Sequence, residues 1–182
     1  EEYGALCAFV ASAGYNTGDF ESGPAEVSFE QVMDALEDLR VVTICALNGS
    51  VYGGATDMPL ACDLALGVGG IEMRMPAAAL GLHYYPSGLV RYVTRLGVNV
   101  AKRAFLTAQP LEAQTLLQVG YLQELVPPAA LAGRVDALAA HVASLAPLAL
   151  ASMKRSLNEI ARGEADRHRL FARWTDTLGS ED

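Results

Sequence analysis

The chain has 182 residues, enough for one compact domain with a real core and too few for two of ordinary size. Its hydrophobic share is 52%, yet Gly, Pro and charged residues interrupt every apolar run before it reaches membrane length, so no transmembrane helix is expected. A formal net charge of −8 argues against a nucleic-acid partner, whose phosphates demand clustered Lys and Arg; the basic stretch Arg167 to Arg173, interleaved with His168, Leu170 and Phe171, reads as a solvated helix face.

Glu1-Glu2-Tyr3-Gly4 carries no basic region or cleavage pattern, so nothing marks secretion and a cytoplasmic location is expected. Ala5 to Ala11 is a short apolar run that predicts a buried strand feeding a loop. Ser28 with Gln31 forms a capping-box pair, and Phe29, Val32, Met33, Leu36 and Leu39 recur at helical spacing through Arg40. Val41 to Leu47 reads as a strand buried on both faces and closed by Asn48-Gly49. A small-residue stretch from Gly53 to Cys62 predicts a short helix, and Leu64 to Val68 and Ile71 to Met75 predict two strands.

Beyond Pro76 the pattern is mostly helical. Ser87 is the expected cap of a helix carrying Leu89, Val93 and Leu96 and ended by Gly97, and Asn99 the cap of the next. Pro110 to Val119 predicts a further helix, and Tyr121 to Val126 a last strand before Pro127-Pro128. Two amphipathic helices follow, one on Leu131, Val135, Leu138, Val142 and Leu145, the other on Leu150, Met153, Leu157 and Ile160. The order gives an α/β core over residues 1–127 and a helical region over 128–182, with a front end that carries fewer strands than such a core normally has.

Cys7, Cys45 and Cys62 lie in apolar surroundings without the paired spacing of a zinc site and are expected to be buried reduced thiols. The informative stretch is Asn48-Gly49-Ser50-Val51-Tyr52-Gly53-Gly54-Ala55-Thr56-Asp57, followed by Cys62-Asp63. It sets a glycine pair between a buried strand and a helix start, where free N–H groups collect and can face a developing oxyanion. Taken alone, the pair reads as readily as a tight turn.

The same stretch resembles the signature of the crotonase (enoyl-CoA hydratase/isomerase) superfamily. Leu80-Gly81 after Pro76, Arg95-Leu96-Gly97, Ala101-Lys102, Leu106-Thr107, Ala113, Gly120 and Ala146-Pro147-Leu148-Ala149 with Lys154 follow in the family's order. The resemblance implies the spiral of ββα units with a helical C-terminal portion and an assembly as trimers or paired trimers. It implies an acyl-CoA thioester as ligand, with coenzyme A entering as part of the substrate and no metal or redox cofactor. It places oxyanion donors at Gly54 and Thr17, the latter in Asn16-Thr17-Gly18-Asp19, a degraded version of the family's loop. Substrate contacts fall on Gly53, Leu80, Gly81 and His83. The family's N-terminal strand-helix-strand segment, which helps hold the nucleotide, has no counterpart here.

Hydration of an enoyl thioester needs two acid-base groups. The resemblance puts the first at Asp57, one methylene shorter than the usual Glu, while Ala77 stands at the second and Glu72 reads as a solvated strand residue beside Arg74. The run Leu80-Gly81-Leu82-His83-Tyr84-Tyr85 instead resembles the turn of the family's methylmalonyl-CoA decarboxylases, which sets a catalytic tyrosine at Tyr84. Decarboxylation of a malonyl-type thioester is therefore the expected reaction. Hydration or isomerisation through Asp57 and acyl-CoA binding without turnover stay open. Gly49-Ser50-Val51-Tyr52 is not a nucleophile elbow, which sets a serine hydrolase aside.

Overall fold

The structure, a computed structural model, describes residues 27–178 and the backbone of residues 6–10. The loop carrying Thr17 and the Cys7 side chain lie outside the described residues. Four parallel strands form the main sheet in the order β1 (Leu6–Val10), β2 (Thr43–Leu47), β4 (Leu64–Val68) and β7 (Glu124–Val126). Every residue of β2 is buried, as its continuous apolar run requires of a strand covered on both faces. A smaller sheet joins β3 (Val51–Tyr52), β5 (Glu72–Arg74) and β6 (Leu111–Glu112), with β5 and β6 antiparallel.

Helix α1 (Phe29–Glu37) begins at the capping box: Gln31 N–H donates to Ser28 Oγ at 3.2 Å and Ser28 N–H to Gln31 Oε1 at 2.8 Å. It buries Met33, a side chain whose removal from water contributes about 1.5–3 kcal/mol. The strand expected from Val41 begins at Thr43. Val41 gives its carbonyl to Lys154 Nζ, and the Thr43 N–H and hydroxyl both donate to Asp63 Oδ2.

Then come α2 (Met58–Ala61), α3 (Pro86–Leu96), α4 (Val98–Thr107), α5 (Ala113–Gln118), α6 (Leu131–Ala143), α7 (Pro147–Ala161) and α8 (Arg167–Leu178). Pro86 at the first helical position moves the start of α3 ahead of Ser87, making Tyr85 the cap. Gly97, with φ of 79°, ends α3 and begins α4, so Asn99 lies inside α4 rather than capping it. Leu111 pairs with Met73, which makes Leu111–Glu112 a strand and shortens the helix expected from Pro110. The last strand begins at Glu124, because Tyr121 and Leu122 turn inward to the core.

Helix α7 departs further from its apolar pattern. Met153, Leu157 and Ile160 face outward, while Lys154, Asn158 and Glu159 are buried. Lys154 pairs with Asp63 at 2.7 Å, Asn158 donates to the Glu37 carbonyl, and Glu159 pairs with Arg173 of α8. Helix α8 buries none of its residues. Cys45 and Cys62 are free and buried, as expected. Among the described residues, no single helix is long and apolar enough to cross a membrane.

Candidate active site

The chain leaves β2 at Leu47, turns through Asn48-Gly49 into β3, and enters a 3₁₀ turn over Gly53–Thr56 that runs into α2. Gly53 has φ of 58°, in the left-handed region that an L side chain enters only under strain. The start of a helical turn leaves its first N–H groups without intrahelical acceptors, and Gly53 and Gly54 hold those positions. A Cβ on Gly54 would lie 3.3 Å from Phe29 Cε1, so the bare backbone packs directly against α1.

Core hydroxyls fasten this turn. Thr56 donates from Oγ1 to the Gly53 carbonyl at 2.6 Å, receives the Tyr92 hydroxyl on Oγ1 at 2.6 Å, and offers its own carbonyl to the Tyr121 hydroxyl at 2.8 Å. Thr56, Tyr92 and Tyr121 are all fully buried. Hydrogen bonds of this kind, closed off from water, hold a backbone in one arrangement.

The facing wall is the segment after β5. A second 3₁₀ turn, Ala77–Leu80, ends at Gly81 with φ of 69°, and the Leu82 N–H returns to the Ala77 carbonyl. The chain then passes through His83 and Tyr84 to Tyr85, whose backbone is extended where it enters α3. Tyr84 and Tyr85 stack with ring centroids 4.2 Å apart, and Tyr84 also packs on Phe105. Gly88 of α3 makes room for the stack: a Cβ there would fall 2.5 Å from Tyr84 Cε1 and 2.6 Å from Tyr85 Cε2.

Between the walls lies a cavity of about 570 Å³, mostly apolar, which Gly53, Gly54, Leu80, His83, Tyr84 and Tyr85 line together with Phe29, Glu30 and Tyr52. Five residues picked out in the sequence thus meet at one place; Gly81 shapes the wall without lining it. Asp57 is not brought there. It is fully buried behind the tyrosines, with Arg91 Nη2 at 2.7 Å and Nε at 3.0 Å from Oδ2, and the Tyr85 hydroxyl donating to the same oxygen at 2.6 Å. The Tyr84 hydroxyl donates in turn to that of Tyr85 at 3.1 Å. Burial, followed by the negative charge of Asp57, pushes both phenols well above their ordinary range. Glu72, away from this cluster, receives the Tyr52 hydroxyl at 3.0 Å.

Tyr85, Arg91, Phe29, Glu30 and Gly88 were not among the site residues expected from the sequence. An isolated glycine inside a helical pattern was the available signal for Gly88. Arg91 gave none, since its partners stand at Asp34, Glu37 and Asp57. A larger cavity of about 700 Å³ lies between the end of α1 and helices α7 and α8. It holds none of the candidate residues, and Lys154, Arg162 and Arg173 on its walls are paired with carboxylates.

The sequence profile described as Enoyl-CoA hydratase/isomerase matches residues 12–174. The chain belongs to the enoyl-CoA hydratase/isomerase family. It is 30% identical over 161 residues to methylmalonyl-CoA decarboxylase of Escherichia coli, covering 86% of this chain and 61% of that protein. It is 28% identical over 128 residues to the short-chain-enoyl-CoA hydratase of Clostridium acetobutylicum, covering 70% and 49%. The chain therefore spans between about half and three-fifths of the length of these two relatives. Among solved structures, methylmalonyl-CoA decarboxylase complexed with 2S-carboxypropyl CoA superposes with a TM-score of 0.78 at 27% identity, over 97% of this chain and 74% of that one. An enoyl-CoA hydratase-type subunit of Geobacillus kaustophilus superposes with a TM-score of 0.86 at 21% identity, over 98% and 73%, a likeness of fold alone. The fold is the crotonase fold, an α/β core with a helical C-terminal portion, as the sequence led us to expect.

Proposed function

We propose that the chain binds an acyl-CoA thioester in the cavity between Gly54 and Tyr84, stabilises its enolate with the Gly54 N–H, and decarboxylates a malonyl-type acyl group. Gly54 and Tyr84 line one apolar cavity while Asp57 is withdrawn behind it, and this observation carries the reading. In the reaction the bond from the α-carbon to the carboxylate breaks, carbon dioxide leaves, and the electron pair moves onto the thioester oxygen. A backbone N–H aimed at that oxygen stabilises the charge as it develops. Thr17 supplies the second donor in the family-based reading and stands in this proposal on that basis.

The apolar lining contributes as well. Leu80 and Leu82 are 58% and 59% exposed, so with Phe29 they become a dry apolar wall once the bound thioester covers them, and water removed in that way favours carbon dioxide over the carboxylate. The Tyr84 hydroxyl, on the cavity wall, orients that group by turning its hydrogen from Tyr85 to the substrate carboxylate. Hydration through Asp57 fits less well, because a carboxylate held by Arg91 and Tyr85 has no oxygen facing the cavity as a base. The neighbouring copy of a trimer completes the nucleotide site in this reading, and no permanent cofactor takes part.

The test is a mass-spectrometric panel of malonyl-type, β,γ-unsaturated and α,β-unsaturated acyl-CoA thioesters, scoring carbon dioxide loss, isomerisation and water addition separately. Carbon dioxide loss that falls about a hundredfold in Tyr84→Phe supports the reading. Water addition abolished in Asp57→Asn, with Tyr84→Phe unaffected, replaces it with a hydratase; binding without turnover replaces it with a non-catalytic acyl-CoA binder.

A further inference from the structure

Carbon dioxide loss leaves an enolate that must take a proton at carbon, and the cavity wall shows which side chains have one to give. Its titratable groups among the described residues are Glu30, Tyr52, His83, Tyr84 and Tyr85. Four of the five have a side-chain oxygen already committed. The Tyr84 hydroxyl donates its hydrogen bond to Tyr85, that of Tyr85 to Asp57, and that of Tyr52 to Glu72. Glu30 receives the Ser87 N–H on Oε1 at 3.0 Å, at the start of α3. A phenol pushed up by burial and by the Asp57 charge is moreover a poor acid, which makes Tyr84 an orienting hydroxyl rather than a source of protons.

His83 differs in geometry. Its Nδ1 lies 2.7 Å from the backbone carbonyl oxygen of Tyr84. A carbonyl oxygen only accepts, so Nδ1 carries the hydrogen, and Nε2 is left as the nitrogen whose protonation changes. The ring is exposed, which lets Nε2 recover its proton from water after each transfer. Gly81 in its left-handed conformation and the Leu82 N–H returning to Ala77 hold the segment that presents the ring to the cavity.

We infer that His83, through Nε2, is the acid that protonates the α-carbon of the enolate, a role that rests on the enolate chemistry proposed above. The imidazolium N–H bond breaks, the proton joins the α-carbon as the enolate collapses to the thioester, and neutral His83 is re-protonated by solvent. In the reverse direction the neutral ring removes an α-hydrogen, so the same group governs exchange into a saturated thioester. This reverse step needs no carboxylate on the substrate and no carbon dioxide.

The experiment follows deuterium uptake from D₂O into the α-position of propionyl-CoA by NMR, using the wild type, His83→Asn and Glu30→Gln, with acyl-CoA affinity measured in parallel by calorimetry. Asn at position 83 keeps an N–H for the Tyr84 carbonyl and has no proton to trade. The expected result is exchange lowered about a hundredfold or more in His83→Asn, with acyl-CoA affinity lowered far less, partial rescue of that variant by added imidazole, and no imidazole rescue in Glu30→Gln. Exchange in His83→Asn equal to the wild type, or a loss confined to Glu30→Gln, overturns the role of His83 while leaving the enolate chemistry standing. Absence of exchange and of carbon dioxide loss in the wild type removes that chemistry and this role with it.

Discussion

Arg91 and Asp57 form a buried ion pair, 3% and 0% exposed at their side chains, with Nη2 2.7 Å from Oδ2 and the Nε hydrogen shared between both carboxylate oxygens. Asp34 and Glu37 approach the same guanidinium from α1, so a single arginine ties α1 and α3 to the turn that bears Gly54.

Removing Arg91 strands the buried Asp57 carboxylate without its cation, whereas neutralising Asp57 leaves Arg91 paired with Asp34 and Glu37. Arg91→Met is expected to lower stability by about 3–5 kcal/mol and Asp57→Asn by less, read as a shift in the urea midpoint. The double variant Asp57→Leu with Arg91→Met is expected to recover part of that loss, since two apolar side chains strand no charge. Equal losses in the single and double variants would show that packing, not charge, sets the cost.

Gly88→Ala tests the space behind the tyrosines. Its new methyl would sit 2.5 Å from Tyr84 and 2.6 Å from Tyr85, so both rings must shift. An overpacking cost of about 1–3 kcal/mol is expected. Near-ultraviolet circular dichroism should change with it, and turnover should fall more than the stability loss alone explains. An unchanged aromatic spectrum would place the two rings elsewhere.

Gly54→Ala keeps the N–H while pressing a methyl 3.3 Å from Phe29 Cε1. A displaced donor should cost less than a deleted one, about tenfold in turnover against the hundredfold or more of a lost oxyanion donor. The far-ultraviolet spectrum should stay as in the wild type. Full activity in the variant would argue that the Gly54 amide faces no reacting oxygen.

Acid should release α8. The hydrogen bonds from Arg173 hold the Glu159 carboxyl down to about 2, below the usual range of about 4.3. The folded value is the depressed one, so the stabilisation is complete above the ordinary glutamate range and is lost as pH falls toward about 2. The lone tryptophan, Trp174, lies on α8 and reports the change by fluorescence. Glu159→Gln should flatten the acid limb of that titration; an identical curve in the variant would place the linkage on another group.

What the sequence disclosed and what it hid divide by distance along the chain. The capping box of α1 was legible because Ser28 and Gln31 are neighbours, and the glycine pair at Gly53-Gly54 because the turn is local. The pattern of α7 pointed the wrong way. Met153, Leu157 and Ile160 are 56%, 65% and 54% exposed, since the buried side is chosen by Asp63, Glu37 and Arg173, none of them near in sequence. Asp57 was found by its motif, but its withdrawal from the cavity depends on Arg91, 34 positions later, which no periodicity announces.

The hydroxyl of Tyr121 that fastens the Thr56 carbonyl enters the polypeptide 65 residues after its partner. A chain growing from the ribosome therefore cannot close this clasp on the Gly53–Thr56 turn until the segment before β7 has emerged. On the reading proposed above, a ligand offered to such a nascent chain meets an unfastened amide, so competence to bind follows the emergence of Tyr121 rather than that of the cavity residues Gly53 to Tyr85.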